Sequence, residues 1–465
     1  MNARHAWRRG VARRRALPAL LLAVALVSAA CGSGTKSASD STTTGSRSAS
    51  TAPISKTLGV GVTDSTIKVG VALVDFKCIE PYIQTTRVDE YKVYDAFIND
   101  VNAKGGIAGR KIVPVYKTFC PIVPAPALSL CTQFTEDEHV FAVIGDFVDL
   151  TGQAQPCIAK QHKTVLISID ITQSIIDSSP HGMILTFDTN QERTVAITLE
   201  LLARQRTLAG KKVAVLGEAT TAKSVRTVLI PGLKKMGVNL GSTAILTISG
   251  ADTTAAAAQL ASFTEKWKTE GVDTVFLSGL QVTAQQFVPN LVKAMPGVQL
   301  IADNVNVDGY GQNLQKAGVR PNPYAGMLAA GGQSARDYDR SDNAKYCAAI
   351  YEKAFHVAKA PDRETVIPGP RGHTLDTSGA INDACAEITM LHDIGEKVGK
   401  YLNDDNWINA VNHYGKIRVM SSKYGSIHTG KYDADDTYAL VAYDPSIPPE
   451  GDWRYLTKVQ DVGGG

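Results

Sequence analysis

The chain has 465 residues, 44% hydrophobic and 20% charged, which is long and apolar enough for two or more domains with full cores. Its 48 basic and 45 acidic residues give a net charge of +3. Six arginines (Arg4, Arg8, Arg9, Arg13, Arg14 and Arg15) and no acid lie in residues 1–30, so the remainder holds 42 basic against 45 acidic residues. The basicity belongs to that first segment, and no basic face for nucleic acid is implied.

Residues 16–30 are an apolar run that ends in small residues before Cys31, the pattern of an export signal and too short for a comfortable membrane span. Ser28-Ala29-Ala30-Cys31 resembles the lipobox of bacterial lipoproteins, which implies that Cys31 is lipidated and becomes the mature N-terminus. Serine stands at 28 where leucine is more frequent, and ordinary cleavage near Cys31, leaving a free thiol, is the alternative. Residues 31–58 are mostly serine, threonine and glycine and read as a flexible tether.

Order is expected from about Thr66. Residues 67–74 read as a strand ending at Asp75. Tyr94, Phe97, Ile98 and Val101 fall at i, i+3, i+4 and i+7 and predict a helix stopped by Gly105-Gly106. A strand over 110–117, a helix over 127–134, a strand over 141–144, a helix over 154–160 and a strand over 165–168 follow. The run at 141–144 is short, apolar and stopped by Gly145, as in a parallel strand buried on both faces. After a less regular segment at 181–188, the alternation restarts with a helix over 192–204 and a strand over 212–216. A helix over 224–236, kinked at Pro231, precedes a strand over 244–248. A helix carrying Ala256, Leu260, Phe263 and Trp267 on one face comes next, then strands over 272–277 and 298–302. Two further helices are expected over 342–357 and 377–397, with a Pro/Gly cluster at 361–372 between them, and the tail from 426 to 453 reads as short strands and turns. Repeated strand–helix units with short connections imply parallel sheets, and two such series imply two α/β lobes.

Several segments together resemble the extracellular solute-binding proteins of ABC importers of the leucine/isoleucine/valine-binding type. They are Gly61-Val62-Thr63-Asp64-Ser65-Thr66-Ile67-Lys68-Val69-Gly70, Val101-Asn102-Ala103-Lys104-Gly105-Gly106-Ile107-Ala108-Gly109-Arg110, Val140-Phe141-Ala142-Val143-Ile144-Gly145 and Gly271-Val272-Asp273-Thr274-Val275-Phe276. The resemblance implies the type I periplasmic-binding fold: two Rossmann-like lobes with parallel sheets, joined by a three-strand hinge. Carried over by position, lobe one takes residues 59–188 and 333–437, and lobe two takes 189–332 and 438–465. The function implied is capture of a small solute by hinge closure and delivery to an ABC permease, outside the cell and without cofactor or metal. A sensor subunit of the same fold that feeds a signalling protein is the alternative.

In that family a ligand's α-carboxylate is held by two loops of lobe one, here residues 146–151 and 170–172. Thr172 matches the family's hydroxyl, whereas Asp149 stands where amino-acid binders have serine, and Asp170 adds a second acid. Each aspartate is read either as a helix cap or as a ligand contact. In lobe two the family's tyrosines are replaced by residues 218–223 and by Leu280-Gln281, and the acid that holds an α-ammonium aligns with Asn304, or with Asp303 one residue away. Asp75, Phe147, Glu218 and Gln281 complete the candidate set. For Glu218 the alternative is a solvated strand end, and for Phe147 and Tyr82 it is packing. These acids favour an amine or polyol, or another amino-acid-like solute with a cationic part, over a leucine-like one.

The six cysteines after Cys31 are an even number in an exported chain and favour disulfides, with free buried thiols as the alternative. Position in the chain suggests Cys120–Cys131 and Cys347–Cys385, which leaves Cys78–Cys157. There is no CxxC and no short histidine spacing of the kind zinc uses. No Walker A, GxSxG, HExxH or nicotinamide fingerprint occurs, so an enzyme is not expected.

Overall fold

The computed structural model describes residues 53–80, 85–87, 89–121, 123–145, 147, 152–169, 171–247, 253–279, 284–303, 305, 308–332, 335–363, 365, 367–420 and 422–463. The expectations for the signal, most of the tether, Cys31, Tyr82, Asp149, Asp170, Gln281 and Asn304 fall outside these residues.

The expected α/β class with parallel sheets is what the chain forms. Strand β1 (Thr66–Val74) lies between β2 (Lys111–Phe119) and β3 (Ala142–Ile144), and β4 (Val165–Ile167) and β5 (Ile184–Leu185) extend the sheet beyond β3. All five strands run parallel. Strands β3 and β4 are buried on both faces and purely aliphatic, as inner strands of a parallel sheet are. Edge strand β2 carries Pro114, which has no N–H to offer, and exposed Lys111; both discourage pairing with a further strand. Helix α1 (Glu90–Ala103) buries Tyr94, Phe97, Ile98 and Val101 at the helical spacing its sequence shows. Gly105 and Gly106 then take φ of +116° and +77°, a region that L side chains avoid, and the helix stops.

The second sheet is mixed. Its strands are β6 (Lys212–Glu218), β7 (Asn239–Leu246), β8 (Thr274–Ser278), β9 (Gln299–Ala302), β10 (Leu328–Gly331), β11 (Thr437–Asp444), β12 (Asp452–Tyr455) and β13 (Gln460–Asp461). They lie in the order β12-β11-β10-β9-β8-β6-β7, with β13 also on β11. Strand β7 begins earlier than expected, because Asn239 and Leu240 pair in parallel register with Lys212 and Val213 of β6, and pairing resumes at Thr243 after an irregularity. Helix α2 (Gln191–Arg204) precedes this sheet. The kink expected at Pro231 takes the form of a π turn at Val225–Leu229 leading into Ile230–Lys235, a widening that accommodates the proline ring.

One hydrophobic core surrounds the first sheet and draws on residues 62–187 and again on 347–434. The second part includes α3 (Asp342–Phe355), α4 (Thr377–Val398) and α5 (Asp404–Asn412). The second sheet carries apolar layers built from residues 195–330 and 438–462. The chain therefore passes between the two cores near residues 187–195, 330–347 and 434–438. The Pro/Gly region is not a plain loop: Ile367–Pro368 pairs with Thr374–Leu375, which pairs with Thr85–Thr86.

The cysteines correct two of the expected pairings. Cys347 joins Cys385, but Cys78 joins Cys120 and Cys131 joins Cys157, with Cα separations of 5.8, 5.7 and 6.1 Å. The reason is sheet register. Val74 of β1 lies opposite Phe119 of β2, and the Asp75 N–H donates to the Phe119 carbonyl, so the segments leaving the two strands start side by side. Helix Pro124–Thr132 packs on the helical segment 154–161, which brings Cys131 to Cys157.

Candidate functional site

In open parallel sheets, ligands gather beyond the carboxyl ends of the strands. In the first sheet those ends carry Asp75, Gly145, Phe147, Ser168, Ile169, Ile171 and Thr172; in the second they carry Glu218, Ser278 and Asp303. Gly145 shows why the chain can turn there. It has φ +108°, a Cβ would collide with the Ala72 carbonyl, and its N–H donates to Glu387 Oε2 at 2.6 Å. Glu387 is itself buried and also accepts from the Tyr94 hydroxyl at 2.9 Å.

The two sets of strand ends meet at Gln191, the first residue of α2. Its N–H donates to the Ile171 carbonyl at 3.0 Å, and its Nε2 donates to Asp303 Oδ2 at 2.5 Å and approaches Ser278 Oγ at 3.4 Å. Its neighbours hold the same loop. Gln173 N–H donates to Glu192 Oε2 at 2.6 Å, and Asn190 Nδ2 donates to Gln173 Oε1 at 3.0 Å. Burial raises the Asp303 carboxyl above its ordinary range, against the opposing pull of hydrogen bonds from Ser278, Gln191 and the Gly279 N–H. A buried acid floors this junction.

A second network ties the first passage to the third. Arg193 Nη1 bonds Asp433 Oδ1 at 3.1 Å and its Nη2 bonds Asp436 Oδ1 at 2.9 Å. Lys431 Nζ lies 3.4 Å from Asp433 and 3.0 Å from Asp436. The Asp433 Oδ2 accepts from both the backbone N–H and the Nδ2 of Asn190, each at 2.9 Å. Main-chain bonds run alongside, from Ala434 N–H to the Thr186 carbonyl at 2.9 Å and from Thr186 N–H to the Tyr432 carbonyl at 3.2 Å.

The candidate residues fall into different roles. Asp75 is exposed and caps the short helix Phe76–Ile79, accepting from Lys77 N–H at 3.1 Å. Thr172 caps Gln173–Asp177, accepting from Ile175 N–H at 3.2 Å. Phe147 is packed: its ring is fully buried 5.4 Å from that of Phe119, and its carbonyl accepts from Ser168 Oγ at 2.9 Å. It joins the core of the first sheet, because a ring of that size gains more from burial there than from solvent. Glu218 is half-buried at the end of β6; burial, then its carboxylate, raise the pKa of the Tyr310 hydroxyl. Gln191 is invisible in the sequence as a site residue, since a glutamine one residue after an Asn cap carries no signal of where its side chain goes.

Among the described residues, Cys131, Cys157 and His162 form a group with metal-ligand spacing, but the two sulfurs are bonded to each other and offer no thiolate; His162 Nε2 lies 3.4 Å from Glu136. A depression of about 350 Å³ on α3 involves Tyr338, Arg340, Lys345 and Glu352, away from any strand end. Its charges serve local structure: Lys359 bonds Asp362 at 2.6 Å, and Glu352 accepts from Ala360 N–H at 2.9 Å. Among the described residues no helix is long and apolar enough to cross a membrane.

A family model described as periplasmic binding protein matches residues 91–367, more than half of the chain. No curated protein sequence matches. Solved structures match the fold at low identity. A solute-binding protein of an ABC transporter from Rhodopseudomonas palustris BisB5, in complex with 3,4-dihydroxybenzoic acid, is 18% identical, with 86% of this chain and 98% of that one covered and a TM-score of 0.59. A fatty acid ABC transporter substrate-binding protein from Thermomonospora curvata is 16% identical over 87% and 94%, with a TM-score of 0.61. A leucine-binding protein from Thermotoga maritima is 14% identical over 85% and 99%, with a TM-score of 0.59.

Proposed function

The chain belongs to the periplasmic binding protein family, and from that premise we propose that it is a lipid-anchored, extracellular substrate-binding protein that hands a small polar solute to an ABC permease. The observation that carries this reading is the meeting of both sets of strand ends at Gln191, with the buried Asp303 carboxyl beneath. Lobe one would take residues 59–188 and 333–437, and lobe two 189–332 and 438–465. A solute held by loop 170–172 on one side and by Glu218 and Asp303 on the other would draw the lobes together and exclude water. Cys31 would hold the protein at the outer face of the membrane.

For the solute, Asp303 and Glu218 favour a cationic or polyhydroxylated molecule, since a second carboxylate brought against a desolvated carboxylate is repelled. The similar structures carry aromatic acids, a fatty-acid assignment and leucine in their descriptions, so the scaffold by itself selects no ligand. A thermal-shift screen with polyamines, sugars, amino acids and small carboxylates tests this; stabilisation by leucine-like compounds alone would reject the preference.

A further inference from the structure

Gln191 is the one residue named above whose main-chain and side-chain bonds together reach the ends of both sheets. Its main chain is fastened to the loop after β4, and its amide to the ends of β8 and β9. The segment it fixes is short: Gln173–Asp177 follows directly, with the Ile175 and Ile176 N–H groups both donating to the Thr172 carbonyl. On the far side, Asp303 N–H donates to the Leu277 carbonyl at 3.2 Å, so the acid is tied to the end of β8 by its own main chain. The Thr198 hydroxyl of α2 reaches the Asp303 carbonyl at 3.4 Å, which adds a second tie between this helix and the strand end.

We propose that Gln191 is a positioning residue that couples the solute loop at 171–173 to the ends of β8 and β9, so that displacement of either is passed through the first passage to the other. This deepens the solute-binding reading and rests on it. The amide is suited to the role because it donates to an acceptor-only carboxylate at a junction where a charged donor would add a cation beneath the solute. A rigid link at this point also sets the resting separation of the two sets of strand ends, hence the fraction of molecules ready to close.

The test is hydrogen exchange on the full chain in detergent, without added solute, followed by mass spectrometry of the peptides that hold Ile175–Ile176 and Asp303. Four proteins are compared: wild type, Gln191→Glu, Asp303→Asn and the double variant. Gln191→Glu sets one carboxyl against another and is expected to speed exchange about tenfold in both peptides, the effect of roughly one net hydrogen bond. Asp303→Asn keeps an acceptor oxygen for the Gln191 amide and should exchange like wild type. The double variant exchanges donor for acceptor, restores the bond, and should return both peptides to the wild-type rate. General loosening would not be undone by a second substitution. If only the Asp303 peptide responds, or if the double variant stays fast, the coupling is rejected. Should Gln191→Glu fail to fold, Gln191→Met, which keeps the bulk and removes the donor, is compared with wild type at the two peptides: faster exchange in both supports the coupling, and a response in only the Asp303 peptide, or in neither, rejects it. Wild-type exchange with and without putrescine, glucose, leucine and 4-hydroxybenzoate addresses the parent reading separately: slowed exchange with any of them supports solute binding whatever Gln191 does.

Discussion

Arg193 and Asp433 are 240 residues apart in the chain and joined by a 3.1 Å bond, so an ion pair with a buried carboxylate is among the ties that join the first and third passages between the two cores. Burial opposes the arginine's charge, yet Asp433 and Asp436 outweigh it and raise the guanidinium pKa further. Removing the arginine leaves two nearly inaccessible carboxylates with Lys431 as their remaining cation. Arg193→Ala is therefore expected to cost about 3–5 kcal/mol in urea unfolding, and Arg193→Lys less, since it keeps the charge but not the fork. A loss under about 1 kcal/mol for the alanine variant would show that the pair is not effectively buried.

Asp435 gives the same region a pH dependence. Its carboxyl is raised from 3.8 to about 6 because it is desolvated, against hydrogen bonds from Ser422 and the Thr437 N–H and the pull of Arg193, with Asp436 adding to the rise. Asp188 and Tyr438 also face this segment. An acid with a raised folded pKa binds more protons folded than unfolded. Its ionisation penalty is absent below about pH 4 and complete above about pH 6, so this group's contribution to stability falls as pH rises through that window. Asp435→Asn removes the penalty. The melting temperature of the variant, measured relative to wild type, should be higher at about pH 7 than at about pH 4, and an equal difference at both would refute the assignment.

Gly145 closes β3 with a positive φ in a space that admits no Cβ. Gly145→Ala is expected to destabilise the chain by about 2 kcal/mol or more, through strain and displacement of the Ala72 backbone. Chemical denaturation reads the change directly.

Non-reducing peptide mapping should recover Cys78–Cys120, Cys131–Cys157 and Cys347–Cys385. A Cys120–Cys131 peptide would contradict the fold around β2. Replacing Cys131 and Cys157 by alanine opens a link across 26 residues and is expected to lower stability by about 3 kcal/mol.

These outcomes also mark what could be read without coordinates. The strands β1, β3 and β4 and helix α1 were legible, because their burial pattern is written locally in residues such as Val69, Ile144, Tyr94 and Phe97. Cys347–Cys385 was legible because both residues lie on strong helical patterns. The partner of Cys120 was not, because it depends on Val74 lying opposite Phe119, a long-range register no local pattern records. Phe147 could be read as cleft contact or as packing, and its burial against the Phe119 ring is a tertiary contact that no local pattern records. Gln191 meets Ile171, Ser278 and Asp303 through tertiary contacts that leave no trace in spacing. The acids near the strand ends were visible as acids, whereas the burial that raises the Asp303 and Asp435 carboxyls belongs to the folded chain.

The most direct measurement of the central claim is isothermal titration of the full chain in detergent with polyamines, sugars, amino acids, fatty acids and aromatic acids, with wild-type hydrogen exchange run in parallel. Saturable binding of a cationic or polyhydroxylated solute is expected, with slowed exchange at both Ile175–Ile176 and Asp303. Binding confined to apolar or anionic solutes would contradict the solute class, and an absence of saturable binding across the whole panel would contradict the function.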